Sequence, residues 1–453
     1  MNLKRKLWWA QHRADVYKYG TILSLVLIVT ISIIYFTYSK FSSTNEMTMY
    51  ETTVEPFIKN DYFIASYIDG EWSNEIPGKN DGYVVNKVVC DNGAVGTWDN
   101  EEWGINIKNA TKKIKCGVYF KKLVKLTEQV TTLASTDTTN FATDDPDNNI
   151  RYIGADPNNY VYFNCNDYSN QSDSTCEKWR IIGLFNNVAK GDNSKDNLVK
   201  IIRNESIGSF AIDNRSTGWV SAQLMMMLNP KDYLKSGYSI SNDVIYDSNG
   251  NQIFKNMGAY YNGTVGCRPG DVYSGVFSCS SVDFTQIGFK NDNTRNAIEE
   301  TIWYYKNVSG TNASEQYKAE RNSDTWVGKI NLIYISDIHY IGTGDIVSGK
   351  KYYDRQYCLG LDIRSSTFLQ SIYCGGYLYK LLQNGAVVNG LGYEVYGGNQ
   401  QAFDGYYRGE LQTGIYFDTD YQYAVLPTLY LTSNITILDG DGSETNPYQL
   451  NLQ

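Results

Sequence analysis

Few residues in this 453-residue chain have the types and spacing that catalysis requires. A Ser/His/Asp triad needs a histidine that accepts the nucleophile's proton, and the chain has only His12 and His339. His339 follows Asp337 by two residues in a tyrosine-rich stretch, where a structural histidine is the commoner finding. We therefore predict no catalytic residue. Paired carboxylates that cleave glycosides stay an open alternative, because separation in space cannot be read from sequence.

Asp439 and Asp441 are the best candidates for a metal site. In the segment Asp439-Gly440-Asp441-Gly442, alternate aspartates could converge on one calcium ion. The later glutamate of an EF-hand loop is missing, and Asp-Gly pairs also form tight turns without a metal. Calcium is the single cofactor that the sequence suggests. Zinc is disfavoured because the chain has no C-x-x-C pair and only two histidines.

Aromatic residues are the most unusual bulk property, with 39 Tyr, 16 Phe and 9 Trp. From Leu391 to Tyr423, tyrosines alternate with Gly, Asn, Asp and Gln. Flat rings offer a large contact area and lose little entropy on binding. We predict a binding face for a glycan or protein ligand here, with candidate contacts Tyr393, Tyr396, Tyr406, Tyr407, Tyr416 and Tyr421. The alternative is that these rings fill β cores.

Eight cysteines, all after the N-terminal 89 residues, predict disulfides in an oxidising compartment. Eight thiols allow 105 connectivities, but these cysteines form four pairs of sequence neighbours, and short loops cost least entropy to close. The predicted pairs are Cys90 with Cys116, Cys165 with Cys176, Cys267 with Cys279, and Cys358 with Cys374. The even count also leaves no spare thiolate for nucleophilic catalysis.

An uncharged apolar run from Tyr19 to Ser39 determines on which side of a membrane the rest of the chain lies. At a helical rise of about 1.5 Å per residue it is long enough to cross a bilayer. No small-residue cleavage site follows the run, which favours an uncleaved anchor over a signal peptide. The alternative is a buried helix of a soluble protein. The segment before the run is rich in basic residues: Lys4, Arg5, Lys6, Arg13 and Lys18.

This charge asymmetry predicts a cytoplasmic N-terminus and an extracellular C-terminal region, by the positive-inside rule. Membrane lipid is then the expected partner of residues 19–39. The chain has a net charge of −9, and an acidic exported region argues against nucleic acid as a partner.

Composition divides the chain into six segments. We predict a cytoplasmic basic tail over 1–18, a transmembrane helix over 19–39, a stalk over 40–59, a small disulfide-linked β-sandwich-like domain over 60–126, a linker over 127–149, and a larger α+β domain over 150–453. Trp98 and Trp103 are expected to fill the core of the small domain. In the larger domain, helices are predicted at 221–228, 294–305 and 313–321, and strands at 160–164, 179–185, 198–203, 329–335 and 424–431.

The larger domain resembles a group of uncharacterised exported bacterial proteins that share a domain of unknown function. The matching segments include Trp179-Arg180-Ile181-Ile182-Gly183, Ile333-Tyr334-Ile335-Ser336-Asp337 and Leu426-Pro427-Thr428-Leu429-Tyr430-Leu431, followed by Asp439-Gly440-Asp441-Gly442-Ser443 and Asn446-Pro447-Tyr448. Such proteins are more distantly similar to C-type-lectin-like domains. The resemblance implies a lectin-like architecture for the larger domain and assigns no chemistry.

Together these features predict a membrane-anchored bacterial surface protein with a binding or adhesion role. Two alternatives stay open. One is an exported enzyme, either a hydrolase that uses carboxylates or a lectin-fold oxidase that uses cysteine or copper. The other is a structural component of an envelope or pilus-like assembly.

Overall fold

The computed structural model describes residues 3–45, 61–110, 113–210, 219–242, 244–255, 257–265, 283–305, 311–347, 350–362, 372–378, 403–407, 410–415 and 423–452. Structural statements below concern these residues. The chain divides into two compact units, Met1–Lys122 and Leu123–Gln453. The architecture is mixed α+β with many small sheets, as the sequence predicts.

Helix α1, Leu3–Asn45, contains the apolar run. Within the described residues, no single straight helix combines the length and the apolar composition that a bilayer crossing needs. The segments Trp8–Asp15 and Tyr17–Ile31 satisfy that requirement only together, as a pair bent by 43°. The predicted transmembrane helix over 19–39 is therefore not confirmed.

The β part of the first unit consists of one sheet and one hairpin. Its strands are β1 Asp61–Ile68, β2 Glu71–Ser73, β3 Tyr83–Cys90, β4 Val95–Asp99, β5 Gly104–Lys108 and β6 Lys113–Lys122. The sheet has the order β2-β1-β6-β3, and β4 pairs with β5 in a separate hairpin. Strands β1 and β6 run parallel, whereas the other pairs are antiparallel.

The hairpin covers one face of this sheet. From Lys113 to Lys121, buried residues of β6 alternate with more exposed ones, and Ile114, Cys116 and Val118 are buried on the covered face. Trp98 of the hairpin contacts Phe120 at a ring-centroid distance of 5.4 Å. Trp98 and Trp103 both pack against this core, as predicted. The result is a small two-layer β arrangement with one face of the sheet uncovered by the hairpin.

Disulfides join the predicted neighbours in both units. The described cysteines form the bonds Cys90–Cys116, Cys165–Cys176 and Cys358–Cys374. The fourth predicted pair, Cys267 with Cys279, lies outside the described residues. Among the described cysteines none is free, so three of the four pairs predicted from spacing are confirmed.

The second unit has many short elements. Its strands are β7 Val124–Lys125, β8 Phe141–Ala142, β9 Ile150–Tyr152, β10 Tyr160–Phe163, β11 Glu177–Ala189, β12 Lys195–Arg203, β13 Ser209–Phe210, β14 Ser239–Ser241, β15 Val244–Tyr246, β16 Gln252–Lys255, β17 Thr301–Tyr304, β18 Thr325–Gly328, β19 Ile330–Asn331, β20 Gly344–Val347, β21 Lys350–Asp354, β22 Phe403–Tyr407, β23 Glu410–Ile415, β24 Tyr423–Ala424, β25 Thr428–Tyr430, β26 Thr436–Asp439 and β27 Gln449–Asn451. Its described helices are α2 Leu126–Thr136, α3 Gln223–Leu228, α4 Ala259–Asn262, α5 Asp292–Asn296, α6 Ala313–Arg321, α7 Ile335–His339, α8 Arg355–Gly360 and α9 Ile372–Gly375.

A seven-stranded antiparallel sheet organises this unit. Its order is β19-β25-β12-β11-β9-β8, with β10 also paired to β11. The long strands β11 and β12 carry near-continuous buried apolar residues, which is the pattern of a central strand covered on both faces. Gly183 lets β9 approach β11, since a Cβ at this position would lie 2.2 Å from the carbonyl oxygen of Ile150.

The structure corrects the predicted linker over 127–149. Helix α2 begins at Leu126 and buries Leu126 and Val130 in the core of the second unit, and β8 then joins its main sheet. The boundary between the units falls between Lys122 and Leu123. The Thr-rich part of the segment is therefore helical, and Asp145 and Asn149 of its Asp-rich part are buried.

Two other predicted elements are also wrong in part. The predicted helix over 294–305 is the short helix α5 followed by strand β17, which pairs with β18. The β-branched and aromatic residues Thr301-Ile302-Trp303-Tyr304 favour a strand. The predicted strand over 329–335 is strand only at Ile330–Asn331, and α7 begins at Ile335.

Candidate functional site

The face of the four-stranded sheet that the hairpin does not cover carries a row of aromatic side chains. The register places Trp72 of β2 opposite Tyr67 of β1, and Tyr67 opposite Tyr119 of β6. Lys87 of β3 lies opposite Tyr119 and completes the row across all four strands. Phe63 lies on the same face of β1, four residues before Tyr67. We call Phe63, Tyr67, Trp72, Lys87 and Tyr119 the outer aromatic face.

The three rings of the row are in mutual contact. Their centroids are 5.2 Å apart for Tyr67 and Trp72, 5.3 Å for Tyr67 and Tyr119, and 5.4 Å for Trp72 and Tyr119. Trp72 is nevertheless 57% exposed and Phe63 is 52% exposed. Tyr67 and Tyr119 between them are half-buried, and aromatic surface of this kind is typical of interaction sites.

The indole of Trp72 packs against Gly117, which has no side chain to displace it. A Cβ at residue 117 would lie 2.7 Å from Cη2 of Trp72, so the ring of Trp72 reaches across β1 to the backbone of β6. Any side chain there would push the indole away from the sheet. The glycine therefore helps to hold Trp72 in a fixed position within the row.

A β-bulge places Lys87 beside Tyr119. The pairing of β3 with β6 shifts register between Val85 and Lys87, which leaves Asn86 unpaired. Val85 opposes the buried Phe120, whereas Lys87 opposes Tyr119 on the other face. Bulges commonly re-aim side chains in this way. The ammonium nitrogen of Lys87 lies 4.4 Å from the centroid of the Tyr119 ring, within the range of a cation–π contact.

A second group of charged residues is buried inside the second unit. Asp337 of α7 accepts from Arg151 Nη1 at 2.5 Å through Oδ1 and from Lys200 Nζ at 2.5 Å through Oδ2. Arg151 Nε also donates to Asp145 Oδ2 at 2.8 Å. All four side chains are fully buried. We call Asp145, Arg151, Lys200 and Asp337 the buried charge cluster.

Aromatic rings enclose the buried charge cluster. Nζ of Lys200 lies 4.1 Å from the ring centroid of Tyr334, and the Arg151 guanidinium lies 4.4 Å from that of Phe185. Burial alone would raise the pKa of Asp337, but Lys200 and Arg151 lower it to about 2. Burial lowers the pKa of Lys200 to about 8 against the opposing effect of Asp337. All four side chains are removed from solvent in the described structure, and we expect the cluster to stabilise the second unit.

The predicted tyrosine contacts fall mostly beyond what the structure describes. Tyr393, Tyr396, Tyr416 and Tyr421 lie outside the described residues. Tyr406 and Tyr407 lie on strand β22, which pairs with β23 in a hairpin. A binding face from Leu391 to Tyr423 therefore stays a prediction.

The candidate calcium residues form a turn that uses its own hydrogen bonds. Asp441 Oδ1 accepts from the backbone N–H of Ser443 at 2.9 Å, and Asp439 Oδ1 accepts from that of Gly440 at 2.8 Å. The hydrogen bonds from Ser443 lower the pKa of Asp441. The described residues contain no group of three or more His, Cys, Asp or Glu side chains placed to hold a metal ion. Calcium binding at Asp439 and Asp441 stays a prediction.

His339 lies at the end of α7 and is fully buried. Burial lowers its pKa to about 3, so the ring is neutral at ordinary pH. A neutral ring without solvent access cannot exchange protons with a substrate.

No known protein family, no curated protein and no solved structure matches this chain. The geometry of the outer aromatic face is therefore the main basis on which a function can be proposed.

The outer aromatic face was not predicted from the sequence, because its residues are far apart in the chain. One sequence pattern did indicate the two sets of residues involved. Phe63, Ala65 and Tyr67 alternate along one strand, and Lys115, Gly117 and Tyr119 along another, so each set lies on one side of its strand.

Proposed function

We propose that this protein is a carbohydrate-binding surface protein and that the outer aromatic face of its first unit is the binding site. The main support for this proposal is the row of side chains across four strands, in which Trp72 is 57% exposed. The row consists of Trp72, Tyr67, Tyr119 and Lys87. Sheet pairing holds the backbone of each of these residues, so the rings are presented by a rigid element.

The chemistry of the face favours a sugar over a protein ligand. Sugar rings offer C–H groups on one side, which contact aromatic faces, and hydroxyls at the edge, which need polar partners. Lys87 supplies such a partner within the row. Lys87 closes the row on the edge strand β3, where its ammonium group is exposed and can bind a hydroxyl of a hydrated ligand.

Trp72→Ala is the direct test of this proposal. The full chain, purified in a non-ionic detergent, is applied to a glycan array, and affinities for the retained glycans are measured. Because exposed tryptophans at binding sites commonly dominate affinity, we expect the substitution to weaken binding by about tenfold or more. Trp72 is largely exposed, so the fold should be retained, and circular dichroism of the variant checks this.

Val95→Ala is the matched control, because Val95 is 51% exposed on the hairpin of the same unit. Its removal should leave glycan affinity unchanged. A glycan array without any binding, or equal affinities for the two variants, would contradict the proposal.

We also propose that α1 anchors the protein in a membrane, with the units exported. The apolar side chains of α1 from Ile22 to Ile31 are 49–67% exposed, and such surface requires lipid or another apolar cover. Protease added to intact cells should then digest the chain beyond residue 60. Protection of both units from that protease, with digestion only after lysis, would contradict export.

The alternative functions have less support. The described cysteines are all paired and His339 is inaccessible, which removes two of the groups that an exported enzyme would use. A C-type-lectin-like architecture for the second unit and a structural role in an envelope assembly stay predictions.

A further inference from the structure

The outer aromatic face is bordered by lysines. In β6, exposed Lys113, Lys115 and Lys121 alternate with buried residues and lie on the same side as Tyr119. Lys87 is exposed on the neighbouring strand β3. Lys115 lies opposite Phe63, so lysines are present next to aromatic rings at two places on this face.

Acidic residues of the same unit are concentrated elsewhere. Residues 61–122 contain eight lysines and nine carboxylates, so the unit has almost no net charge. Many of these carboxylates lie in turns that connect the strands: Asp69, Asp81, Asp91, Glu101 and Glu102. Four of the eight lysines therefore lie on the same side of the sheet as Tyr119, and the one strand carboxylate with a register position on that side is Asp61, which is paired with Lys113.

This local charge contrasts with the whole chain, which carries −9. An acidic protein repels polyanions in general, so a basic face on it selects where such a ligand can bind and in which orientation. Rings and ammonium groups together match a ligand that has both apolar ring faces and negative charges.

We propose that the ligand of this face is an anionic polysaccharide, a polymer whose sugar rings stack on Trp72, Tyr67 and Tyr119 while its acid groups pair with Lys87 and Lys115. This inference rests on the proposed function and specifies its ligand class. Acid groups repeated along the polysaccharide can contact both lysines at the same time. Once the first contact has formed, the second forms at a high effective concentration, which raises the overall affinity.

Polygalacturonate and its methyl ester are the test probes, since they share one backbone and differ in charge. We expect the full chain to bind polygalacturonate at least tenfold more tightly than the ester, with the difference shrinking at high salt. Lys87→Gln with Lys115→Gln should weaken polygalacturonate binding by about tenfold, because two exposed charge pairs are lost. Binding of the ester should change less than twofold.

Lys108→Gln with Lys122→Gln is the matched control. It removes the same charge from the same unit, at the end of β5 and at the end of β6 on the side away from Tyr119. The control should retain polygalacturonate binding within twofold.

The anionic preference would be overturned if the wild type bound polygalacturonate and its methyl ester equally and Trp72→Ala bound neither. The proposed function would still stand in that case. Absence of binding to both polymers and to the glycan array would overturn both proposals. Binding to vesicles of phosphatidylcholine with phosphatidylglycerol, with none to polygalacturonate, would overturn the polysaccharide in favour of a lipid surface.

Discussion

Replacing Asp337 by alanine is expected to lower the free energy of unfolding of the second unit by about 3 to 5 kcal/mol, because it leaves Lys200 and Arg151 buried without their shared counter-ion. Both pairs are fully buried, with 2.5 Å between the charged atoms. Urea denaturation of the full chain, followed by hydrogen exchange in β11 and β12, measures the loss in this unit.

Asp292→Ala is the control, since Asp292 pairs with Arg295 at 2.8 Å but is 83% exposed. Exposed pairs contribute about 1 kcal/mol or less. The combination Lys200→Met with Asp337→Leu should recover part of the loss, because it removes both members of one pair. A loss in Asp337→Ala no larger than that in Asp292→Ala would show that the buried charge cluster is not what stabilises the unit.

The pH dependence of this contribution has a definite sign. The pKa of Asp337 is lowered from 3.8 to about 2 in the folded protein, so the unfolded chain takes up the proton first. The stabilisation is complete above about pH 4 and is lost as the pH falls toward 2. Wild type and Asp337→Ala should therefore converge in stability under strongly acidic conditions.

The second large effect is expected from removing the Cys90–Cys116 disulfide with two serine substitutions. This bond closes a loop with a sequence separation of 26, and loops of that size contribute about 3 to 4 kcal/mol through the unfolded state. Within the described part of the first unit, the buried apolar core consists of six residues: Ala94, Ile105, Ile114, Cys116, Val118 and Phe120. So small a core leaves little reserve, and we expect amides of β6 to lose protection from hydrogen exchange.

Cys165→Ser with Cys176→Ser provides the comparison in the second unit. That bond spans 11 residues and lies beside a far larger core, so its loss should lower stability without unfolding β11. Retained protection of β6 in the Cys90 and Cys116 variant would contradict the expectation for the first unit. Reduction of the wild type should likewise loosen the first unit before the second.

Local patterns predicted much of the fold. Cysteines close in sequence paired as expected, and the apolar runs at 179–185 and 198–203 lie within β11 and β12. The helix predicted at 313–321 is α6. These features depend on short-range periodicity and loop closure, which a single sequence displays.

The errors occur where tertiary context decides. Residues 294–305 have helical spacing of apolar side chains, but pairing with β18 makes Thr301–Tyr304 a strand. The outer aromatic face needs the pairing of Trp72 with Tyr67 and of Tyr67 with Tyr119, which no local pattern specifies. Lys87 joins the row only through the bulge at Asn86. Register of this kind follows from the whole sheet.

The parallel pairing of β1 with β6 has a mechanical consequence. Seven residue pairs join the two strands, from Asp61 with Lys113 to Tyr67 with Tyr119. Tension between the chain ends would pull β1 by its first residue and β6 by its last, in opposite directions along their common axis. All seven pairs would then carry the load simultaneously in shear, and a tether built this way resists rupture better than one whose bonds open singly.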